Sequence, residues 1–489
     1  MSELETDVEI DEEVFEPGDS HSHFTVIRLS LTAALGGFLF GYDSSVINGA
    51  VVPITAHFSA SAGVLGFTVS SALLGAAAGA LGCGRVAERY GRLPAMRAAA
   101  VLFLIGSVGT GLAGTLVILV VFRVIGGVAV GIASVIAPTY IAEIAPARIR
   151  GRLGSLQQLA IVTGIFLALL VDYALATAAG GAASNFALGL PAWRWMFLAM
   201  VVPALLYGGL AFTIPESPRY LVGKRHLDEA RSVLRRVLGN IDLDAKVEQI
   251  KETLKREGRP SIRDLRGPRF GLLPIVWVGI GLSMFQQFVG INVIFYYSTV
   301  LWQAAGFSSS TSLLITVITG AVNIVTTLVA IASIDRFGRK PLLIIGSIGM
   351  AVTLGTLAVV FGTAALKTGP MGPMPVLTGA AKPIALIAAN VFVFAFGMSW
   401  GPVVWVLLGE SFPNKIRAAA LSLAAGAQWL ANWVVSTTFP PLKDAGLGLA
   451  YGIYTTFAVL SLLFVLKFVR ETKGVELEDM PDDEPVEVT

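Results

Sequence analysis

Glu143-Ile-Ala-Pro-Ala-Arg-Ile-Arg150 and Glu410-Ser-Phe-Pro-Asn-Lys-Ile-Arg417 carry one pattern, Glu-x-x-Pro-x-x-x-Arg, with identical spacing. Each copy follows an apolar run of roughly 20 residues, the length that crosses about 30 Å of hydrocarbon. Four such runs precede the first copy (26–49, 64–84, 94–113 and 115–138) and two follow it (153–177 and 195–214). The second copy holds the same place in a second set, after 272–301, 311–333, 341–363 and 383–408 and before 418–439 and 448–468. Other turns match too. Gly84-Arg-Val-Ala-Glu88-Arg89-Tyr-Gly-Arg92 follows the second run and Asp335-Arg336-Phe-Gly-Arg-Lys340 the eighth, while Glu216 and Glu471 close the sixth and twelfth. Duplication on this scale predicts two six-helix halves, an arrangement suited to rocking about a site at the membrane midplane.

Composition agrees with an all-α integral membrane protein. The chain has 489 residues, 55% hydrophobic and 14% charged, against about 25% charged in a soluble protein. Its charges gather in short clusters between the runs. A net charge of +2 gives no reason to expect a nucleic-acid partner. One cysteine, Cys83, excludes an intrachain disulfide framework. The expected organisation is an acidic, disordered tail over 1–23, a first half over 24–215, a linker over 216–270, a second half over 271–469 and a tail over 470–489. The linker holds two amphipathic pieces, Asp228–Leu238 and Asp244–Arg256. Lys and Arg crowd alternate connections, which predicts that both termini and the linker face the cytosol.

Asp43, in Gly37-Phe-Leu-Phe-Gly-Tyr-Asp43, and Arg123 are the two charges read as lying deep within runs. A charge at membrane depth persists when it is paired, protonated or open to a water-filled cavity. An interior acid is a candidate proton carrier, with Arg123 as its partner. On the cytosolic side, Glu143, Arg150, Glu410 and Arg417 are expected to pair across the two halves as a latch, with Arg89, Arg336, Glu216 and Glu471 in the same gate. Enzymatic chemistry finds no constellation. The histidines (His21, His23, His57, His226) lie outside the deep runs, and neither a phosphate loop, a Ser-His-Asp set nor a metal cluster is read. The expected cofactor is none, with the proton as coupling ion.

These turns resemble those of the sugar porter family of the major facilitator superfamily. The matching segments are Pro138-x-Tyr-x-x-Glu143-x-x-Pro-x-x-x-Arg-Gly151, Pro215-Glu-Ser-Pro-Arg219, Gln286-Gln-Phe-x-Gly-x-Asn292-x-x-x-Tyr-Tyr297 and Gly401-Pro-x-x-Trp405. Similarity is greatest to bacterial proton-coupled hexose and pentose symporters, xylose–proton symporters among them. Glu88 stands where the family usually has Asp, and Arg470-Glu-Thr-Lys-Gly474 lacks a leading Pro. The resemblance implies twelve transmembrane helices, a monomer in the cell (inner) membrane, and import of a monosaccharide with a proton. It also implies sugar contact by Gln158, Gln286, Gln287, Asn292 and Trp405.

The residues give an independent reason for such a site. A sugar presents a ring of hydroxyls and apolar C–H faces, which call for bidentate amides and aromatic planes. The seventh run offers Gln286, Gln287, Asn292 and Tyr297, and Gly290 would let its helix unwind there. Asn323, Gln428 and Trp429 are further candidates, with interhelical bonding as the alternative reading. Three other functions stay open: a facilitative uniporter, a proton-coupled polyol transporter and, more remotely, a transporter-like sugar sensor.

Overall fold

The structure, a computed structural model, describes residues 20–239, 242–256, 262–268, 270–369, 372–413 and 416–472. Most of the 1–23 and 470–489 tails therefore lies outside the described residues, and Ser20 already begins the first helix.

Every expected run is helical. Among the described residues, eleven helices are long and apolar enough to cross a membrane. The eleventh expected run forms the further helix Arg417–Ala445, 29 residues long. Its polar residues include Gln428, Asn432, Lys443 and Asp444. The spans are numbered here in chain order. The second (Ala62–Tyr90), third (Arg92–Gly111), fourth (Leu116–Ile144), fifth (Ala147–Ala179), eighth (Ser309–Phe337), ninth (Arg339–Thr363), eleventh and twelfth (Leu447–Phe468) are continuous. The first is interrupted at Val46, between Ser20–Ser45 and Ile47–Phe58. The sixth divides into Ala192–Ala199 and Val201–Leu210, the seventh into Pro274–Phe288 and Ile291–Ala304, and the tenth into Ala381–Gly397 and Trp400–Ser411.

Small residues set the closest packing. Gly127 and Gly131 of the fourth span lie against the Ala72 and Ala76 carbonyls of the second, and Gly75 and Gly79 against those of Val124 and Val128. A side chain at any of these would strike backbone, so the glycines allow the two helices their close approach. Away from the interior, Val117, Leu205 and Val359 are more than half exposed, which suits a lipid-facing surface.

The linker and both described chain ends share one face. There Leu227–Leu238 buries Ala230, Val233, Leu234 and Val237 at helical spacing. Arg231 joins this helix to the next, Leu243–Arg256, bonding Asp228 at 3.0 Å and Asp244 at 2.9 Å. Two short antiparallel hairpins on the opposite, far face were not anticipated: Asn185–Ala187 with Leu190–Pro191, and Ala365–Gly369 with Gly372–Val376.

The halves meet toward the far face. Ser70 and Thr437 share a 2.6 Å hydroxyl bond between the second and eleventh spans. Thr299 N, on the seventh span, donates to Asn48 Oδ1 on the first at 2.9 Å. Gly320 of the eighth lies against Phe166 of the fifth. Toward the linker face, Gly154, Gly409 and Gly426 look into open space.

Candidate functional site

Asp43 and Arg123 are brought together inside the first half, both buried. Arg123 Nη1 donates to the Asp43 backbone carbonyl at 3.1 Å and to its carboxylate Oδ2 at 3.5 Å. Nη2 reaches the Val69 carbonyl at 3.5 Å. The guanidinium is thus held as much by backbone as by the acid, and the ion pair is long. A small cavity adjoins it, lined by Asp43, Ser44, Val69, Ala72, Arg123 and Tyr296. Tyr296 belongs to the seventh span and also meets Asn432 of the eleventh, so the second half itself walls the cavity beside the acid.

The seventh span supplies the amides at its break. Gly290 has φ +81, a left-handed conformation that glycine adopts without strain. The turn brings Asn292 back over Gln287, with Nδ2 donating to Oε1 at 2.5 Å. Gln287 Nε2 continues the chain to Gln286 Oε1 at 3.3 Å. Gln286 Nε2 then donates to the Trp400 carbonyl at 2.8 Å and the Gly401 carbonyl at 3.1 Å, at the start of the tenth span's second piece. One amide network therefore joins two broken helices. Trp405 lies one turn further along that piece and keeps 40% of its surface exposed, which leaves an aromatic plane available to a ligand.

The other candidates lie on the fifth, seventh, eighth and eleventh spans. Gln158 is half-buried on the fifth span. Gln428 Oε1 on the eleventh is buried and has no hydrogen-bond partner among the described residues. Trp429 packs against Phe40 of the first span, ring centroids 5.7 Å apart. Asn323 faces Gly397, at the break in the tenth span. Tyr297 is turned away, its hydroxyl donating to the Ser436 carbonyl at 2.8 Å. It sits beneath a cavity on the far face, with Val300 and Phe439.

The linker-face charges pair differently from the cross-half expectation. Glu143 takes a bidentate bond from Arg92, at 2.6 and 2.9 Å, and Glu410 takes one from Arg339, at 2.7 and 3.0 Å. Both pairs lie within their own half, and among the described residues no ion pair on this face crosses between halves. Glu216 accepts from the backbone N–H groups of Arg92 and Leu93, and Glu471 from those of Arg339 and Lys340. Each caps the N-terminus of a span with a carboxylate, where the helix dipole favours negative charge. Arg417 bonds the Phe412 carbonyl at 3.0 Å. Arg89 and Arg336 lie against Tyr90 and Phe337. The Arg150 side chain lies outside the described residues.

One site was missed. Asp172 is a third deep charge, fully buried in the fifth span. The reading that Asp43 and Arg123 stand alone is therefore corrected. Asp172 sits in Leu169-Leu-Val-Asp-Tyr-Ala-Leu175, and a lone acid in such a run is the signal that marks it. Its Oδ2 accepts from Gly49 N at 3.1 Å.

A two-half helical bundle with broken helices at an amide-lined centre defines a membrane transporter of the major facilitator fold. The chain belongs to the sugar (and other) transporter family, which it matches over residues 29–483. It is 58% identical over 457 residues to the glucose transport protein of Synechocystis sp., covering 93% of this chain and 97% of that one. It is 42% identical over 488 residues to the D-xylose-proton symporter of Escherichia coli, covering 93% and 95%. A solved structure of the E. coli xylose transporter XylE, in a partially occluded inward-open conformation, superposes with a TM-score of 0.77 at 38% identity, covering 91% of this chain and 100% of that one.

Proposed function

We propose that this protein imports a monosaccharide, a hexose or pentose, by proton symport with alternating access, as a monomer in the inner membrane with both termini cytosolic. The observation that carries the coupling is the buried Asp43–Arg123 pair. Its 3.5 Å carboxylate contact is loose enough to exchange for a proton. When Asp43 is ionised, Arg123 holds it. Protonation releases the arginine, and the first and fourth spans are free to close around substrate. The names carried by the relatives support a sugar as cargo.

Gln158, Gln286, Gln287, Asn292 and Trp405 are the assigned sugar contacts, with Asn323, Gln428 and Trp429 as further candidates; Tyr297, its hydroxyl bonded to the Ser436 carbonyl, is left out of that set. Amides donate to and accept from hydroxyls, and the indole covers a C–H face. Glu143, Arg150, Glu410 and Arg417 are assigned to a cytosolic latch made in the opposite state, when the linker face closes. The deciding experiment adds a monosaccharide to deenergised cells or proteoliposomes and follows external pH. Symport predicts alkalinisation of the medium. Sugar entry without it would make the protein a facilitative uniporter, and a response to polyols alone would change the substrate class.

A further inference from the structure

Asp172 has no task in the scheme above. Its carboxyl is fully buried, one oxygen bonded to Gly49 N and the other without a hydrogen-bond partner among the described residues. Gly49 lies in the first turn of Ile47–Phe58, the far half of the first span. Its neighbour Asn48 is tied across the halves to Thr299. Consecutive residues of one half-helix thus hold it to the fifth span on one side and to the seventh on the other. Asp172 also stands about four turns beyond Gln158 on one face of the fifth span, and that face packs on the first span, where Ile161 lies against Gly41 and Asp172 against Gly49.

No cation answers this acid among the described residues. Tyr42 of the first span faces it, and that hydroxyl is turned to the Met196 carbonyl at 3.4 Å. Arg194 of the sixth span is bonded to the carbonyls of Gly111 and Ala113. Arg123 of the fourth is engaged with Asp43, and His57 packs on Phe58 and Trp193. The eighth span meets the fifth through Gly320 against Phe166 and Leu169. An ionised carboxylate here would be dry and nearly unpaired, an arrangement that carries a heavy desolvation cost. If the far piece of the first span, released from Thr299 as the far face opens, lifts off the fifth span, water reaches the same group and that cost is removed.

We propose that Asp172 is a second proton-binding site, protonated while the far half of the first span is packed down and ionised when the far face opens to water. Acid on the far side then favours closure of that face, and alkali favours its opening. The direction suits import, because a proton taken from outside helps shut the gate behind the substrate. This inference rests on the alternating-access reading above.

The test uses full-length protein with Cys83→Ser and Val300→Cys, in vesicles with the far face outward. Val300 lines the far-face cavity and is only 4% exposed in this closed arrangement. Labelling by a membrane-impermeant maleimide is normalised to Leu188→Cys on the far-face hairpin, where the residue is 87% exposed. From about pH 5.5 to about pH 8.5, a range that brackets buried carboxyls, normalised labelling should rise severalfold. Asp172→Asn keeps an acceptor for Gly49 N but cannot ionise, and it should lose most of that rise. Gly49→Ala places a methyl 2.7 Å from Asp172 Oδ2 and should raise labelling even in acid. A full rise kept in Asp172→Asn overturns the assignment. Should that variant fail to insert, Gly49→Ala labelling like its parent overturns it instead. A parent protein that responds to neither pH nor sugar overturns the alternating-access reading beneath it.

Discussion

Asn292 donates to Gln287 across the break at Gly290, so two residues five apart in sequence face each other where a regular helix would separate them by more than a turn. The bond closes the polar ends of two helix pieces on one point of the interior.

Gln287→Ala and Asn292→Ala should each weaken monosaccharide binding by about 1–3 kcal/mol, the usual loss when a buried polar partner is removed. Because each is the other's partner, the double variant should lose less than the sum. Calorimetric titration of the purified protein checks both statements, and unchanged affinity in both singles would place the sugar elsewhere.

Asp43→Asn should abolish uphill accumulation and leave sugar counterflow measurable. Counterflow exchanges sugar for sugar and needs no net proton movement. Concentrative uptake at the parental rate would remove Asp43 from the coupling.

Gly290→Ala should destabilise the protein by about 1–3 kcal/mol, the range for a non-glycine residue held in a sparsely populated conformation. Its added methyl would also press on the Tyr454 ring. Thermal unfolding in detergent should show a lower Tm together with weaker sugar binding. An intact Tm would mean that the break does not require glycine.

Glu216→Ala and Glu471→Ala should each lower stability by about 0.5–2 kcal/mol, as loss of a helix cap does. The two effects should add, because the caps belong to different halves. A double variant far more damaged than the sum would show that the caps communicate.

Glu410→Gln with Arg150→Ala should slow transport, keep sugar binding, and raise labelling of a cysteine placed in the linker-face cavity. Exposed ion pairs are each worth about 0–1 kcal/mol, yet several together bias a balanced equilibrium. Normal transport and unchanged labelling would reduce these residues to topology anchors.

The helices and their duplication were legible because hydrophobic length and charged turns repeat along one dimension. The break at Gly290 was legible for the same reason, a glycine among amides in one short segment. Partner choice was not. Spacing places Glu143 at the end of the fourth span and Arg92 at the start of the third, but it does not say which way either side chain turns. The structure pairs them within the half, where the expectation had looked across. Asp172 carries the same signal as Asp43, and only depth of burial and the bond to Gly49 separate it from an acid near a helix end.

The two carboxylate caps have a consequence for how the chain is assembled. Glu216 fastens the exit of the first six spans to the start of its own third span, and Glu471 does the same for the second set. Each set is thereby tied off by its own closing residue, independently of the polypeptide that connects them. A gene cut in the linker after Leu238 would leave both knots intact, and the two fragments, expressed side by side, should find each other in the bilayer and regain uptake.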